Sequence, residues 1–107
     1  MNVLKKKIRV LIVDDSLFMR QMIADILNSD PEIEVVAAAE SGEAGLEKIA
    51  ELKPDVVTLD YEMPGLDGLA TLKKIMLSKP VPVVMIRAFT KAGAKETLEA
   101  LSAGAID

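Results

Sequence analysis

The sequence predicts an α/β fold in which a parallel sheet is covered by helices on both sides. Four short aliphatic runs alternate with longer segments of helical spacing. The runs are apolar at consecutive positions, as in strands that are buried on both faces. No linker or low-complexity segment interrupts the sequence, so we expect its 107 residues to form one domain. Alternating strands and helices of this kind predict a doubly wound sheet.

The predicted elements follow one another without long connections. The strands are IRVLIV, IEVVAAA, DVVTL and VPVVMI, at residues 8–13, 33–39, 55–59 and 81–86. The helices cover residues 16–29, 42–52, 66–77 and 91–102. Ser16 suits the N-cap of the first helix, because its hydroxyl can accept a hydrogen bond from a free amide of the first turn. Gly104 suits the end of the fourth helix.

Composition limits the kinds of site that the chain can build. It contains no Cys and no His, so a metal site would use carboxylate and carbonyl oxygens and would favour Mg²⁺ or Ca²⁺. The net charge of -4 argues against nucleic acid as a partner. We interpret residues 1–7, with the basic KKK, as a solvated amino-terminal extension. The apolar run after it is too short for a signal peptide or a membrane span, which predicts a cytoplasmic protein without membrane contact.

Three carboxylates are predicted to meet at one edge of the sheet. Asp14 and Asp15 follow the first strand, and Asp60 follows the third. Right-handed crossovers bring the carboxyl ends of parallel strands to one edge, where a crevice forms at the reversal of strand order. Like charges at short range need an opposing charge, which Mg²⁺ would supply. For the Asp14–Asp15 pair alone, the preference of acidic residues for a helix N-terminus remains an equal alternative.

Several motifs resemble the receiver domain of two-component response regulators. They are LIVDDS at 11–16, VVTLDYEMPGLDG at 56–68 and SAGAID at 102–107. The longer stretches DDSLFMRQMI, DYEMPGLDGL and TLEALSAGAID are most similar to the amino-terminal receiver of chemotaxis protein-glutamate methylesterases. The resemblance implies a flavodoxin-like sheet with strand order 2-1-3-4, in which the fifth strand and fifth helix of the family are missing.

The resemblance also implies a role for each residue of the acidic cluster. Asp60 matches the phosphoacceptor, Asp15 a direct Mg²⁺ ligand, and Asp14 its water-mediated partner. Glu62 matches the residue whose backbone carbonyl completes the metal site. A carboxylate can accept a phosphoryl group as an acyl phosphate when a metal ion offsets the charge on the oxygens. Since the chain has no His, a phosphohistidine donor would belong to a partner histidine kinase.

The sequence departs from the family pattern in two places. Arg87 stands at the switch position, where receivers have a Thr or Ser whose hydroxyl contacts the phosphoryl group. The sequence ends at Asp107, inside the expected fifth strand, so we expect a carboxyl-terminally incomplete receiver and an output domain outside it. The fourth strand would then be an exposed edge, which we expect to be covered by a second copy in an edge-paired or domain-swapped homodimer, by a different chain, or by further residues of the parent protein.

These observations leave three functions open. The first is a regulatory phosphoacceptor receiver in chemotaxis, which is not itself an enzyme. The second is a non-signalling or engineered receiver fragment, which Arg87 and the early end of the chain favour. The third is a small Mg²⁺-dependent aspartyl phosphohydrolase, although no segment of the sequence suggests a substrate-covering cap or a general acid or base for it.

Overall fold

A computed structural model of the chain describes residues 6–86 and Gly104. The elements in chain order are β1 (Ile8–Val13), α1 (Leu17–Asn28), β2 (Ile33–Ala39), α2 (Gly42–Leu52), β3 (Val56–Asp60), α3 (Gly68–Ser78) and β4 (Val83–Ile86). The helix predicted at 91–102 and the switch position Arg87 lie outside the described residues, as do residues 1–5 of the basic extension. Lys6 and Lys7 are exposed and precede β1.

The four strands form one parallel sheet in the order β2-β1-β3-β4. This confirms the predicted order 2-1-3-4. The chain moves from β1 to β2 on one side and then returns to place β3 on the other, so the order reverses at β1 and β3. Val13 pairs with Leu59 at the carboxyl ends of these two strands. The residues that follow this pair therefore lie side by side at the reversal point.

Alternate strand residues face the two sides of the sheet. Leu11 and Leu59 belong to a buried cluster with Leu72 of α3, on the side that α2 and α3 cover. Val10 faces the other side, where Ile23 of α1 lies. Helices thus cover both faces, as the sequence predicts. No helix in the described part of the chain is both long and apolar enough to cross a membrane.

The α1 side of the sheet is only partly covered by the residues that the structure describes. An apolar groove of about 400 Å³ lies between α1 and strands β1, β3 and β4. The Thr58 hydroxyl oxygen is buried there, and within residues 6–86 it has no hydrogen-bond partner. Ile26 of α1 lines the groove and is 61% exposed. Within residues 6–86, large apolar area in this groove is therefore left uncovered.

Side-chain caps determine where α1 and α3 begin. The Ser16 hydroxyl accepts a hydrogen bond of 3.2 Å from the Met19 amide, which confirms the predicted cap. The Asp67 carboxylate accepts one of 2.8 Å from the Ala70 amide. Because this cap precedes the helix, α3 starts at Gly68 and not at the predicted residue 66.

Two strand boundaries also differ from the prediction. Strand β4 begins at Val83 and not at residue 81, because Pro82 has no amide hydrogen; its carbonyl accepts a hydrogen bond of 3.0 Å from the Val57 amide. Strand β3 spans 56–60 and not 55–59, because Asp60 is still paired, with Ile86 of β4. The predicted phosphoacceptor is therefore the last residue of a strand.

Strand β2 is less buried than its sequence suggests. Its residues are apolar almost throughout, but only Ala39 is buried. The reason is its place at the edge of the sheet, next to β1 alone among the described strands. The prediction that all four strands are buried on both faces is wrong for β2.

Candidate functional site

Asp14, Asp15 and Asp60 lie together at the carboxyl ends of β1 and β3. One carboxylate oxygen from each lies within 4.8 Å of the other two. Asp14 is buried, with 3% of its surface exposed, Asp60 is half-buried, and Asp15 is exposed. The structure thus brings together the three carboxylates that the sequence analysis named, and their roles as ligands and acceptor stay predictions.

Hydrogen bonds fix Asp14 at the end of β1. Its amide donates to the Ala39 carbonyl of β2 over 3.0 Å, and its Oδ1 accepts from the Ser16 amide over 2.9 Å. Its backbone carbonyl accepts from Nη1 of Arg20 over 2.8 Å. A buried carboxylate needs a partner such as the Ser16 amide, because its desolvation would otherwise be costly. The result is a fixed turn between β1 and α1 from which Asp15 projects.

Asp60 holds its proton more tightly than an ordinary carboxyl group. Its pKa is raised from 3.8 to about 7, first by partial burial and then by the nearby charge of Asp14. A hydrogen bond and the charge of Asp15 act in the same direction, whereas the hydrogen bond from the Glu62 amide lowers the pKa. That bond joins the Glu62 nitrogen to Asp60 Oδ1 over 3.3 Å. The cluster therefore favours a proton or a cation that offsets its negative charge.

The three carboxylates fit a hard divalent cation. They offer only oxygen atoms, the ligand type that Mg²⁺ prefers. Ligands of one octahedral Mg²⁺ lie about 3 Å apart when they are neighbours and about 4.2 Å apart when they are opposite, so oxygens within 4.8 Å of one another would move closer to share the ion. The donor set and its spacing are thus compatible with Mg²⁺.

A backbone hydrogen bond next to Asp60 closes the loop between β3 and α3. The Gly68 amide donates to the Tyr61 carbonyl over 3.0 Å. Gly68 is buried, and a Cβ there would collide with the backbone of Asp60 and Tyr61. Met63 is buried in the core and anchors the loop, while Gly65 adopts a φ of 76° in the left-handed region. The first residue of α3 therefore packs directly against the backbone of the predicted acceptor.

For two of the predicted site residues, Glu62 and Arg87, the structure shows only part of the predicted arrangement. Glu62 is exposed two residues after Asp60, and its amide contacts the Asp60 carboxylate. The use of its backbone carbonyl as a ligand stays a prediction. Arg87 follows Ile86, the residue that pairs with Asp60, but Arg87 itself is outside the described residues.

Sequence reasoning missed two residues that shape the site. Arg20 contacts the Asp14 carbonyl, and its only signal in the sequence is its place in α1, the helix that follows the acidic pair. Gly68 is the last residue of the motif at 56–68, and its lack of a side chain is what allows α3 to approach β3. Such close approaches follow from tertiary packing and leave no periodic pattern.

Comparison with known proteins assigns the family. Residues 10–107 match the family model described as the response regulator receiver domain. The chain belongs to this family, and it is a regulatory module of two-component signalling.

Similar curated proteins are enzymes with longer chains. The protein-glutamate methylesterase/protein-glutamine glutaminase of Oceanobacillus iheyensis is 56% identical over 102 residues, covering 95% of this chain and 29% of the relative. The protein of the same description from Pyrococcus horikoshii is 52% identical over 107 residues, covering 100% of this chain and 29% of the relative. The chain thus spans less than a third of the length of these relatives.

Solved structures agree with this assignment. The response regulator domain of Thermotoga maritima CheB has a TM-score of 0.89 and 50% identity, over 95% of this chain and 76% of that one. A CheX-CheY complex with BeF₃ and Mg²⁺ from Borrelia burgdorferi matches with a TM-score of 0.82 and 34% identity, over 94% of this chain and 75% of that one.

Proposed function

We propose that this chain is the phosphoacceptor receiver of a chemotaxis methylesterase, and that Asp60 accepts a phosphoryl group in a Mg²⁺-dependent reaction. The convergence of the Asp14, Asp15 and Asp60 carboxylates within 4.8 Å at the reversal point of the sheet carries the proposal. The similarity to methylesterase receivers supports the chemotaxis assignment. The Mg²⁺ in the complex of the Borrelia burgdorferi relative supports the choice of metal.

Four groups of this chain would hold the metal ion. Asp15 and Asp60 would supply carboxylate oxygens, Glu62 its backbone carbonyl, and Asp14 a contact through water. When bound, Mg²⁺ would offset the negative charge of the carboxylates and of the incoming phosphoryl oxygens. Buried Asp14 is held by Ala39 and Ser16, so its carboxylate keeps its place before a metal arrives.

Asp60 performs the chemical step. One of its carboxylate oxygens forms a bond to phosphorus, while the bond between phosphorus and the donor atom breaks and the donor keeps the electron pair. The product is an acyl phosphate on Asp60. The carboxyl group must first lose its proton, which a pKa of about 7 permits at neutral pH for part of the molecules. The Glu62 amide, bonded to Oδ1, sets the orientation of the nucleophile.

The donor and the output are supplied by other polypeptide segments. The chain has no His, so a phosphohistidine donor belongs to a partner kinase. We infer that the state of Asp60 regulates a methylesterase domain outside these 107 residues. The receiver itself contributes the acceptor and the metal ligands.

Incubation with a small phosphodonor and Mg²⁺, followed by intact mass measurement, tests the proposal. We expect the mass of the protein to increase by one phosphoryl group. When Mg²⁺ is chelated beforehand, we expect no increase. Consumption of the donor without a modified protein would contradict the proposal and favour the phosphohydrolase. The absence of both reactions would contradict it in favour of a non-signalling fragment.

A further inference from the structure

We propose that Arg20 is a positioning residue, which holds the turn between Asp14 and Asp15 in the conformation that binds the metal ion. The inference rests on the function proposed above and assigns a role to a side chain outside the acidic cluster. Arg20 is half-buried in the first turns of α1. Its Nη1 donates a hydrogen bond of 2.8 Å to the backbone carbonyl of Asp14.

The contact acts on the peptide group between the two carboxylates. A peptide group is planar, so fixing the carbonyl oxygen of Asp14 restricts the direction from Asp14 to the Cα of Asp15. Asp15 is exposed and gains little restraint from packing. The bonds from Asp14 to Ala39 and Ser16 fix its amide and its carboxylate, but neither involves this carbonyl. Arg20 therefore restrains the part of the turn that aims Asp15.

Helix α1 provides a rigid base for this restraint. The Arg20 amide donates to the Ser16 carbonyl over 2.9 Å, and the Ser16 hydroxyl caps the same helix. The guanidinium thus reaches back from an ordered helical turn to the end of β1. Groups that support metal ligands in this way alter metal affinity when they are removed, by about tenfold or more.

The positive charge of Arg20 and its positioning contact are expected to change Mg²⁺ affinity in opposite directions. A guanidinium near a divalent cation repels it, so removal of the charge alone would strengthen Mg²⁺ binding. Loss of the positioning contact would weaken it instead. The direction of the change in Mg²⁺ affinity therefore distinguishes positioning from a purely electrostatic effect.

The chain offers a matched control in Arg9. Its Nη1 also donates to a backbone carbonyl, that of Lys53, over 3.0 Å. Arg9 lies near the start of β1, whereas the acidic cluster lies beyond the end of that strand. Arg9→Met and Arg20→Met each remove one guanidinium and one hydrogen bond to a carbonyl. A general loss of stability would affect both variants alike.

The experiment is a calorimetric Mg²⁺ titration of the wild-type chain, Arg20→Met, Arg20→Lys and Arg9→Met, with urea unfolding of each. We expect Arg20→Met to bind Mg²⁺ about tenfold more weakly, and Arg9→Met to bind as the wild type does. Arg20→Lys keeps a donor without the planar fork, so its affinity should lie between those of the wild type and Arg20→Met.

The outcomes separate this inference from the proposed function. A wild-type chain that does not bind Mg²⁺ would contradict the proposed function and the inference together. A wild type that binds, with equal or tighter binding by Arg20→Met, would overturn the inference alone. If Arg20→Met does not fold, Arg20→Lys decides: affinity equal to the wild type overturns the inference, and weaker binding by a folded protein supports it.

Discussion

The amide of Gly68 donates a hydrogen bond of 3.0 Å to the carbonyl oxygen of Tyr61, the residue after the predicted phosphoacceptor. This bond joins the first turn of α3 directly to the end of β3. A side chain at Gly68 would collide with the backbone of Asp60 and Tyr61. The space around one glycine therefore determines how closely α3 approaches Asp60.

Substitution of Gly68 tests this close approach. We expect Gly68→Ala to lower the free energy of unfolding by about 1–3 kcal/mol, because the added methyl group overpacks the contact with the Asp60 backbone. Mg²⁺ affinity should fall as well, since Asp60 must move. Urea unfolding and Mg²⁺ titration measure the two effects.

Gly65→Ala is the matched control in the same loop. Gly65 has a φ of 76°, so an alanine is strained there by about 1 kcal/mol, but among the described residues its Cβ would meet only a Glu43 oxygen, at 3.8 Å. This variant should lose stability and keep its Mg²⁺ affinity. Unchanged Mg²⁺ binding by Gly68→Ala would contradict the proposed link between α3 and Asp60.

The raised pKa of Asp60 predicts how stability depends on pH. The folded chain retains this proton up to about pH 7, whereas the unfolded chain releases it near 3.8. Between these values the folded state binds more protons, so its stability falls as the pH rises. The variant Asp60→Asn lacks this titrating group and should not show that loss. Compared with the wild type, its free energy of unfolding should therefore fall less between pH 4 and pH 8, by about 1 kcal/mol after allowance for solvent screening of a half-exposed group.

Urea unfolding without metal at several pH values measures this effect. Asp25→Asn is the control, because Asp25 is an exposed carboxylate on α1, away from the cluster. It should leave the pH dependence unchanged. The same pH dependence in Asp60→Asn and the wild type would show that Asp60 does not hold the proton.

Mg²⁺ affinity should increase as the pH rises to about 7. A proton on Asp60 competes with the metal ion, and its pKa is about 7. Below that value the affinity should fall by up to about tenfold per pH unit, and above it the affinity should level off. Calorimetry in two buffers of different ionisation enthalpy would also detect the released proton. Affinity that is constant from about pH 6 to about pH 8 would contradict the assignment.

The open groove beside α1 predicts self-association of the isolated 107-residue chain. The groove is apolar, and covering one large aliphatic side chain such as Ile26 contributes roughly 1.5–3 kcal/mol. Sedimentation velocity should therefore show a mass that rises with concentration. Ile26→Glu should shift the chain toward the monomer. Leu77→Glu, at an exposed residue of α3 outside the groove, should not. A monomer at every concentration would contradict the prediction.

The sequence sufficed to predict the sheet order and the meeting of Asp14 with Asp60. The strand order was implied by the resemblance to receiver domains, whereas the meeting of the two carboxylates follows from periodicity and from the handedness of crossovers, which depend on many residues at once. The N-cap Ser16 was also predictable, because capping is a local interaction between a side chain and the next turn.

Other features depend on distances that only the folded chain defines. The contact from Arg20 to Asp14 depends on the path of one long side chain. The raised pKa of Asp60 depends on its depth and on the separation of three carboxylates. The exposure of β2 reflects its place at the sheet edge, which its apolar sequence does not reveal.

Localisation of the phosphoryl group on the chain tests the central claim most directly. After reaction with a small phosphodonor and Mg²⁺, borohydride reduction of the acyl phosphate followed by peptide mass mapping identifies the modified residue. We expect modification at Asp60 in the wild type and in Asp25→Asn, and none in Asp60→Asn. Modification at Asp14 or Asp15, or an equally modified Asp60→Asn variant, would contradict the account.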